Sequence, residues 1–435
     1  MKNFKSWKDS GEVELAPLTG FFGTNSSGKS SLLQMLLLLR QNFKRRDFLY
    51  FGREYSLVNL GSFREVIHQH KEKALLELEF GCKLLEPFEI RGDKEENSSQ
   101  IEDGVVSIDN FTFNTFIRAK EEKVIIEQLC YRIKSQVIQE VKWEWQTQSL
   151  SCRNSLGIPI ETSRSIRNCY GGPGQDANDV LGSLATAFEN LFVKVYYLGP
   201  IRADPRRHYT WEGNHPAHIG QWGDEAIDAL LSACVRKLKT LHEEEEVPIE
   251  ERISYWLKKM DLAHSFSLDS TRRGVMDYEI RIQKSPGSAA VTLVDMGYGL
   301  GQFLPILVLC YYAPEGSTLI LEQPGLHLHP KVQSQIADLL IEVVNERKLQ
   351  ILVESHSEHL LNRLQRRVAE EKIRADQTAL YFCRNDDGIS TIEHLVMDEF
   401  GNIANWPENF FGDEMGDLFA MTEAQMERQK RMEDK

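Results

Sequence analysis

The segment at residues 23–30, GTNSSGKS, limits the possible folds of this chain more than any other feature. It matches the pattern G-x-x-x-x-G-K-[ST] in full, and it lies between an apolar strand at residues 18–22 and an apolar stripe at residues 31–41 that predicts a helix. Glycines let backbone N–H groups wrap around phosphates, and the helix N-terminus adds a favourable dipole. Phosphate contacts are therefore expected from Gly23, Asn25, Ser26, Ser27, Gly28, Lys29, Ser30 and Ser31.

A second run of strands and helices lies near the C-terminus. Strands are predicted at residues 318–321, 350–353 and 378–383, with helices near residues 330–345 and 358–369, and this alternation indicates parallel strands with crossover helices. We therefore predict an α/β P-loop head whose nucleotide-binding fold is split by a β-rich insertion and a helical insertion. The expected boundaries are 1–75 and 291–390 for the core, 76–190 for the β-rich part, 191–290 for a strand plus helical part, and 391–435 for a tail.

Within these parts, four local predictions are specific enough to check. Residues 4–8 and 13–18 are expected to be strands, and residues 224–241 a helix. The acidic run at residues 243–246 is interpreted as a solvated loop or helix end. Turns are expected at residues 92–93 and 103–104, a loose loop at 94–100 and a linker at 170–179.

Composition argues against several classes of protein. The 435 residues carry a net charge of −14, which argues against binding nucleic acid through the whole surface. Seven cysteines lie far apart without a C-x-x-C pair, which argues against a zinc site or a disulfide framework. The longest apolar run is too short to span a bilayer, so we expect a cytoplasmic protein without a membrane partner.

Acidic and glycine-rich segments suggest the rest of a nucleotide site. Glu322 ends the apolar strand at 318–321 and is expected to hold Mg²⁺ together with the Ser30 hydroxyl. Glu354 and His356 follow the next strand, where the histidine is expected to sense a γ-phosphate, although a lone histidine is more often structural. The turn at residues 295–302 suits close approach to an anion, although simple turn formation explains it equally well.

The order of these motifs resembles the ABC-like ATPases of the SMC and OLD group. Within the group, the chain is most similar to coiled-coil-free ATPases of bacterial anti-phage systems of the Septu, PARIS or retron-associated type, including the aromatic tail at residues 405–411. The resemblance implies head-to-head dimers around two ATPs and a switch role for His356. It also implies a signature loop acting in trans at Gly297, Gly299, Gly301 and Gln302, and a D-loop at His327 and His329. Gln69 is one candidate for a Q-loop glutamine. His327 and His329 with His359 could form a metal cluster, but an interface role is preferred.

One position departs from the group. Gln323 stands where a second acid commonly acts as general base, and an amide can orient water but cannot take its proton. Gly325 also replaces a frequent acid nearby. We expect slow or absent hydrolysis, so that ATP mainly holds an assembled state, unless Glu354 serves as a substitute base.

Three functions fit these observations. The first is an ATPase subunit of an anti-phage complex that forms homo-oligomers and regulates a separate nuclease or other effector, with DNA or RNA reached through the complex. The second is an SMC-like repair or maintenance ATPase that hydrolyses ATP and binds DNA directly, with Arg202, Arg206 and Arg207 as its basic candidates. The third is a nucleotide-binding scaffold without turnover, which grades into the first.

Overall fold

We describe a computed structural model of the chain. It describes residues 1–43, 45, 47–91, 105–121, 123–133, 138–144, 149–154, 166, 168–171, 180–270, 277–407, 410–411 and 414–433. The turns expected at 92–93 and 103–104, the loop at 94–100 and most of the linker at 170–179 lie outside these residues. None of the described helices has the length and hydropathy needed to cross a membrane.

The elements follow one another along the chain as nineteen described strands and nine described helices. The strands are β1 (Lys2–Phe4), β2 (Trp7–Asp9), β3 (Leu18–Gly23), β4 (Leu76–Arg91), β5 (Val105–Lys120), β6 (Lys123–Ile133), β7 (Ile138–Glu144), β8 (Ser149–Asn154), β9 (Val195–Leu198), β10 (Tyr209–Thr210), β11 (Lys239–His242), β12 (Glu245–Pro248), β13 (Ser265–Ser270), β14 (Asp277–Gln283), β15 (Val291–Thr292), β16 (Thr318–Glu322), β17 (Gln350–Glu354), β18 (Thr378–Asp386) and β19 (Ile389–Leu395). The helices are α1 (Lys29–Gln41), α2 (Phe63–Val66), α3 (Val180–Val193), α4 (Ala226–Val235), α5 (Ile249–Lys259), α6 (Tyr298–Tyr312), α7 (Pro330–Arg347), α8 (Glu358–Ala369) and α9 (Glu414–Glu433).

A six-stranded sheet with the order β19-β18-β3-β17-β16-β9 forms the centre of the molecule. Its strands are parallel except β19, which pairs antiparallel with β18. Strand β3 comes from the N-terminus, β9 from the middle and the other four from the C-terminal third. This arrangement confirms the predicted α/β class with a split core, and it brings the carboxyl ends of β3, β16 and β17 to one edge of the sheet.

Side-chain alternation along these strands divides the core into two layers. In β16, Leu319 and Leu321 are buried with residues of α4 to α8, while Ile320 between them is buried with residues of α1 and α3. Successive side chains of a strand point to opposite faces, so continuous apolar strands are buried on both sides. The sheet therefore has helices on each face, and the site at its edge rests on a rigid support.

A second, antiparallel sheet has the order β2-β1-β4-β5-β6-β7-β8. Most of it comes from the segment predicted to be β-rich, but β1 and β2 belong to the N-terminal segment. Residues 191–290, predicted as a strand plus helical part, contain strands β9 to β14 together with α4 and α5, and the expected boundaries of this part stay a prediction.

Three local predictions were wrong. Residues 5–6 form the turn between β1 and β2, with Lys5 at a φ of 51°, so residues 4–8 are not one strand. Residues 13–17 form no strand, and Pro17 has no N–H to donate to a ladder. Helix α4 ends at Val235 instead of continuing to residue 241. The acidic run forms the β11–β12 hairpin, whose two turn residues, Glu243 and Glu244, have φ values of 48° and 70°, typical of a tight hairpin.

Candidate functional site

The loop at residues 23–30 is held closely against β18 and β19. A Cβ atom on Gly23, which has a φ of 133°, would lie 2.1 Å from the Cys383 carbonyl oxygen. A Cβ atom on Gly28, at a φ of 95°, would lie 2.5 Å from Ser390 Oγ. Both glycines are therefore required by space as well as by backbone conformation.

Two residues that the sequence analysis missed support the loop from behind. The buried indole of Trp7 donates a hydrogen bond from Nε1 to the Gly28 carbonyl oxygen at 3.1 Å. The buried Ser390 donates to Ser6 Oγ at 2.6 Å, which joins β19 to the β1–β2 turn. No sequence signal marks this contact, since it joins residues from opposite ends of the chain.

Lys29 lies buried at the centre of the loop. Its ammonium donates to the carbonyl oxygens of Gly23 at 3.2 Å and Thr24 at 2.7 Å, and to Ser27 Oγ at 3.2 Å. Burial lowers the pKa of Lys29, and the negative charge of Glu354 opposes that shift. No described side chain caps the N-terminus of α1, so its first N–H groups suit an anion. Asn25 and Ser26 are exposed on the outer side of the loop, and Ser31 is half-buried.

Two carboxylates lie side by side at the ends of neighbouring strands. Glu322 of β16 and Glu354 of β17 are register partners, with relative exposures of 7% and 5%. Burial and then the Glu354 charge raise the pKa of Glu322 to about 7, and the hydrogen bond from Tyr197 to Glu322 Oε1, at 3.0 Å, opposes this shift. Burial also raises the pKa of Glu354, whose Oε1 accepts a hydrogen bond from Ser30 Oγ at 3.1 Å.

These oxygens fit a divalent cation. Glu354 Oε2 is buried without a hydrogen-bond partner among the described residues, and the two carboxylates destabilise each other when both are ionised. Carboxylate and hydroxyl oxygens are the ligands that Mg²⁺ prefers. Ser30, Glu322 and Glu354 could therefore hold Mg²⁺ next to the anion-binding end of α1. Sequence analysis assigned Glu354 to catalysis and did not foresee its contact with Ser30.

Gln323 and His356 lie beside this pair of acids. Gln323 has a φ of 47°, its backbone N–H donates to the Glu354 carbonyl oxygen at 2.9 Å, and its side chain is close enough to lower the pKa of Glu354. Burial and the charge of Lys29 lower the pKa of His356, and a hydrogen bond with the Gly23 backbone opposes this. The structure thus brings Gln323, Glu354 and His356 together with the glycine-rich loop.

Arg202 is a further residue of the site, with a role that the sequence analysis did not predict. It is buried, and its guanidinium donates to the carbonyl oxygens of Glu322 at 2.8 Å and Gln323 at 3.3 Å. Burial lowers its pKa to about 10. The proposal that Arg202 faces DNA is therefore wrong, because its charge is used to orient the turn after β16.

Only part of the expected signature loop lies at the surface. Gly297 is exposed and Gly299 half-buried, at the uncapped N-terminus of α6. Gly301 packs against Pro205, and the Gln302 amide is buried and bonded to the Arg202 backbone N–H at 3.3 Å. The structure therefore corrects the prediction that Gly301 and Gln302 face a second subunit.

One of the two histidines of the expected D-loop contacts this turn. The ring of His327 packs edge-on against Tyr298 with centroids 5.1 Å apart, and His329 Nδ1 accepts the Lys331 N–H at 3.2 Å as the cap of α7. In the described part of the chain, no cluster of potential metal ligands includes these histidines or His359, and the interface role expected for them stays a prediction. Gln69 is exposed in a short 3₁₀ turn, and its role stays a prediction.

Three family models match parts of this chain. Residues 1–287 match a family model described as AAA ATPase domain, residues 235–362 match a further AAA domain model, and residues 373–421 match a model described as Protein of unknown function (DUF3696). The comparison with curated proteins gave no match.

Solved structures of SMC heads also resemble this chain. An SMC head bound to the C-winged helix domain of ScpA has a TM-score of 0.45 at 13% identity, covering 91% of this chain and 96% of that one. An SMC head with an extended coiled coil, bound to the C-terminal domain of ScpA derived from Pyrococcus furiosus, has a TM-score of 0.42 at 11% identity, with coverages of 91% and 94%. The SMC head domain of Thermotoga maritima has a TM-score of 0.36 at 11% identity, with coverages of 90% and 96%.

Proposed function

Because this chain belongs to the AAA ATPase domain family, whose model matches residues 1–287, we propose that it binds ATP with Mg²⁺ and uses the bound nucleotide to hold an assembly together. The hydrogen bond between Ser30 and Glu354, with Glu322 alongside, carries the proposal. It sets three oxygen ligands beside Lys29 and the N-terminus of α1. Bound Mg²⁺ would neutralise charge on the β- and γ-phosphates.

In this proposal, the phosphates are bound both by the backbone and by side chains around the loop. Backbone N–H groups of residues 25–28 surround the phosphates, and Lys29 exchanges its carbonyl partners for phosphate oxygens. His356, held near Gly23, is placed to donate to a γ-phosphate. Arg202 holds the backbone of Glu322 and Gln323 so that both side chains keep their positions.

We further propose that turnover is slow because Gln323 cannot accept a proton from water. Glu354 Oε1 already accepts a hydrogen bond from Ser30 Oγ. This contact supports a role for Glu354 as a metal ligand and not as a general base. Gln323→Glu is expected to raise the rate of ATP hydrolysis by about 10²-fold or more. Phosphate release is the measurement, and an unchanged rate in a variant that binds ATP like the wild type would contradict this part of the proposal.

The assembled state is proposed to be a head-to-head dimer with the Gly297 and Gly299 turn of one copy facing ATP on the other. Lys29→Ala is expected to lose both ATP binding and the ATP-dependent increase in mass. Gly297→Glu should keep ATP binding and lose only the dimer, because a Cβ at Gly297 meets no atom within 4 Å and the added charge repels the phosphates. Gly81→Glu, at an equally open position in β4, is the control. A dimer that persists in Gly297→Glu would overturn this interface.

The assembly is proposed to regulate a separate nuclease in anti-phage defence. This step rests on the similarity of motif order and of the tail at residues 405–411 to such ATPases. Phage plating on cells that carry the chain with its neighbouring genes tests it, and Lys29→Ala should abolish protection. Equal protection by the variant would reject a nucleotide-dependent role in defence.

The alternative of direct DNA binding has little support among the basic residues first considered. Arg202 is buried, and Arg207 pairs with Asp295 at 2.6 Å, which leaves Arg206 as an exposed cation. Duplex DNA binding by the isolated chain, measured against salt concentration, would revive that alternative if it were strong and salt-dependent.

A further inference from the structure

Three potential metal ligands meet far from the nucleotide loop, between the β11–β12 hairpin and helix α7. His242 lies on β11, and Glu342 and Glu346 lie one turn apart on α7. Their ligand atoms all lie within 4.8 Å of one another. His242 Nδ1 is 3.1 Å and 3.3 Å from the two carboxylate oxygens of Glu346. Residues four apart on a helix share a face, so both carboxylates point toward the hairpin.

An independent observation indicates that one of these carboxylates is oriented in advance. Glu342 Oε1 accepts hydrogen bonds from Tyr311 Oη at 2.6 Å, from Trp256 Nε1 at 3.1 Å and from the guanidinium of Arg252. No described residue donates to the other oxygen, Oε2. Metal-binding carboxylates are commonly fixed by hydrogen bonds of this kind to an outer layer of residues.

We propose that His242, Glu342 and Glu346 bind one Zn²⁺ ion that fastens the β11–β12 hairpin to α7. An imidazole with two carboxylates suits Zn²⁺, whereas Mg²⁺ prefers oxygen ligands alone. Three protein ligands leave a position for water. Ligand atoms about 2.1 Å from a shared ion lie up to about 4 Å apart, so small side-chain rotations close the site.

The half-buried position of the three side chains fits this role. Their relative exposures are 23% for His242, 25% for Glu346 and 13% for Glu342, so an ion can enter while most of the surface is shielded. Arg252 balances one of the two negative charges of Glu342 and Glu346, so the cluster keeps negative charge that attracts a cation.

The site is distinct from the proposed nucleotide site but lies on an element that reaches it. Helix α7 begins at Pro330, directly after the loop that contains His327 and His329. Zinc would restrain the opposite end of the same helix. The inference does not depend on ATP binding, so the two can fail separately.

Calorimetric titration of Zn²⁺ into the full-length, chelator-treated protein tests the proposal. Excess Mg²⁺ competes for Glu322 and Glu354, and any Zn²⁺ that still binds there appears equally in the wild type and in the variants. Wild type should bind one equivalent that His242→Ala and Glu346→Gln both lose. His208→Ala is the matched control, since His208 pairs with Glu279 at 3.2 Å and no third ligand completes a cluster there among the described residues.

Two further measurements separate a metal site from a loss of folding. Tyr311→Phe, which removes one hydrogen bond to Glu342, should bind the same single equivalent about 10-fold more weakly. Amide exchange of residues 239–248 should slow with Zn²⁺ in the wild type but not in His242→Ala, while both keep the same thermal transition without zinc. No zinc binding by the wild type, or an undiminished equivalent in His242→Ala, would overturn the proposal.

Discussion

Two pairs of glutamates in this molecule differ in burial and in their partners. Glu322 and Glu354 lie together at the ends of adjacent strands, with Lys29 directed toward carbonyl oxygens and with one carboxylate oxygen unpaired. Glu342 and Glu346 lie on one helix and contact Arg252 and His242 directly. Arg252 compensates part of the negative charge of the second pair. Among the described residues the first pair forms no ion pair, which supports its proposed role in holding a bound cation.

The largest effect that this comparison predicts is at Arg252. Arg252→Met removes the buried cation beside Glu342 and should lower the free energy of unfolding by about 3–5 kcal/mol, because an unpaired charge stays buried. Arg366→Met, which breaks the exposed pair with Glu370, is the control and should change the free energy of unfolding much less, because solvent screens that pair. Urea unfolding measures both, and equal small losses would mean that the two ion pairs do not differ.

Removing a negative charge from the pair at the strand ends, Glu322 and Glu354, should instead raise the free energy of unfolding. Glu322 holds its proton to about pH 7 when folded but releases it near its usual 4.5 when unfolded, so the folded state binds more protons between these values. The free energy of unfolding of the nucleotide-free protein should therefore fall by up to about 3 kcal/mol as the pH rises from 4.5 to beyond 7.

Glu322→Gln should abolish most of this fall and make the nucleotide-free protein more stable at pH 8. The exposed Glu399→Gln variant should behave like the wild type. Mg²⁺ with ATP should restore stability at pH 8 in the wild type and much less in Glu322→Gln. A pH dependence that survives unchanged in Glu322→Gln would show that other groups cause it.

The smallest expected effect concerns the two tyrosines that donate hydrogen bonds to these glutamates, Tyr197 to Glu322 and Tyr311 to Glu342. Tyr197→Phe removes the hydrogen bond that lowers the pKa of Glu322, so the midpoint of the pH-dependent loss of stability should rise by less than about one unit. Tyr311→Phe removes the equivalent bond to Glu342 and should leave that midpoint unchanged. Unfolding curves at several pH values compare the variants, and a shift of the same size in both would remove the distinction.

The strand-end acids were found from the sequence because each follows an apolar run, and in a parallel sheet such ends share one edge. Their supports were not found. Tyr197 reaches Glu322 only because β9 pairs with β16 in one particular register. No local sequence pattern predicts that register. We expected Arg202 to lie at the surface because arginine is rarely buried. In the structure it is buried, and its guanidinium donates to carbonyl oxygens of the turn after β16.

The hairpin at residues 239–248 shows a second limit of sequence reasoning. Residues 224–241 favour a helix by composition, but α4 stops at Val235, Lys237 takes a φ of 52°, and the acidic run turns back as β12. Packing of β11 against α7 determines this outcome, and it creates the cluster around His242. Long-range packing of this kind overrides local helix propensity.

The sequence by itself determined the strand–loop–helix unit at residues 18–41, the split α/β core and the positions of Lys29, Glu322, Gln323 and Glu354, because each depends on contiguous residues or on their order. Only the tertiary structure decided that Ser30 bonds Glu354, that Trp7 supports Gly28, and that Gln302 lies inside the protein. The physical reason is that burial and pairing of a polar group depend on neighbours distant in the chain. A glutamate at the end of an apolar strand or on a helix can be paired with an arginine, as Glu342 is, or buried without an ion pair among the described residues, as Glu354 is.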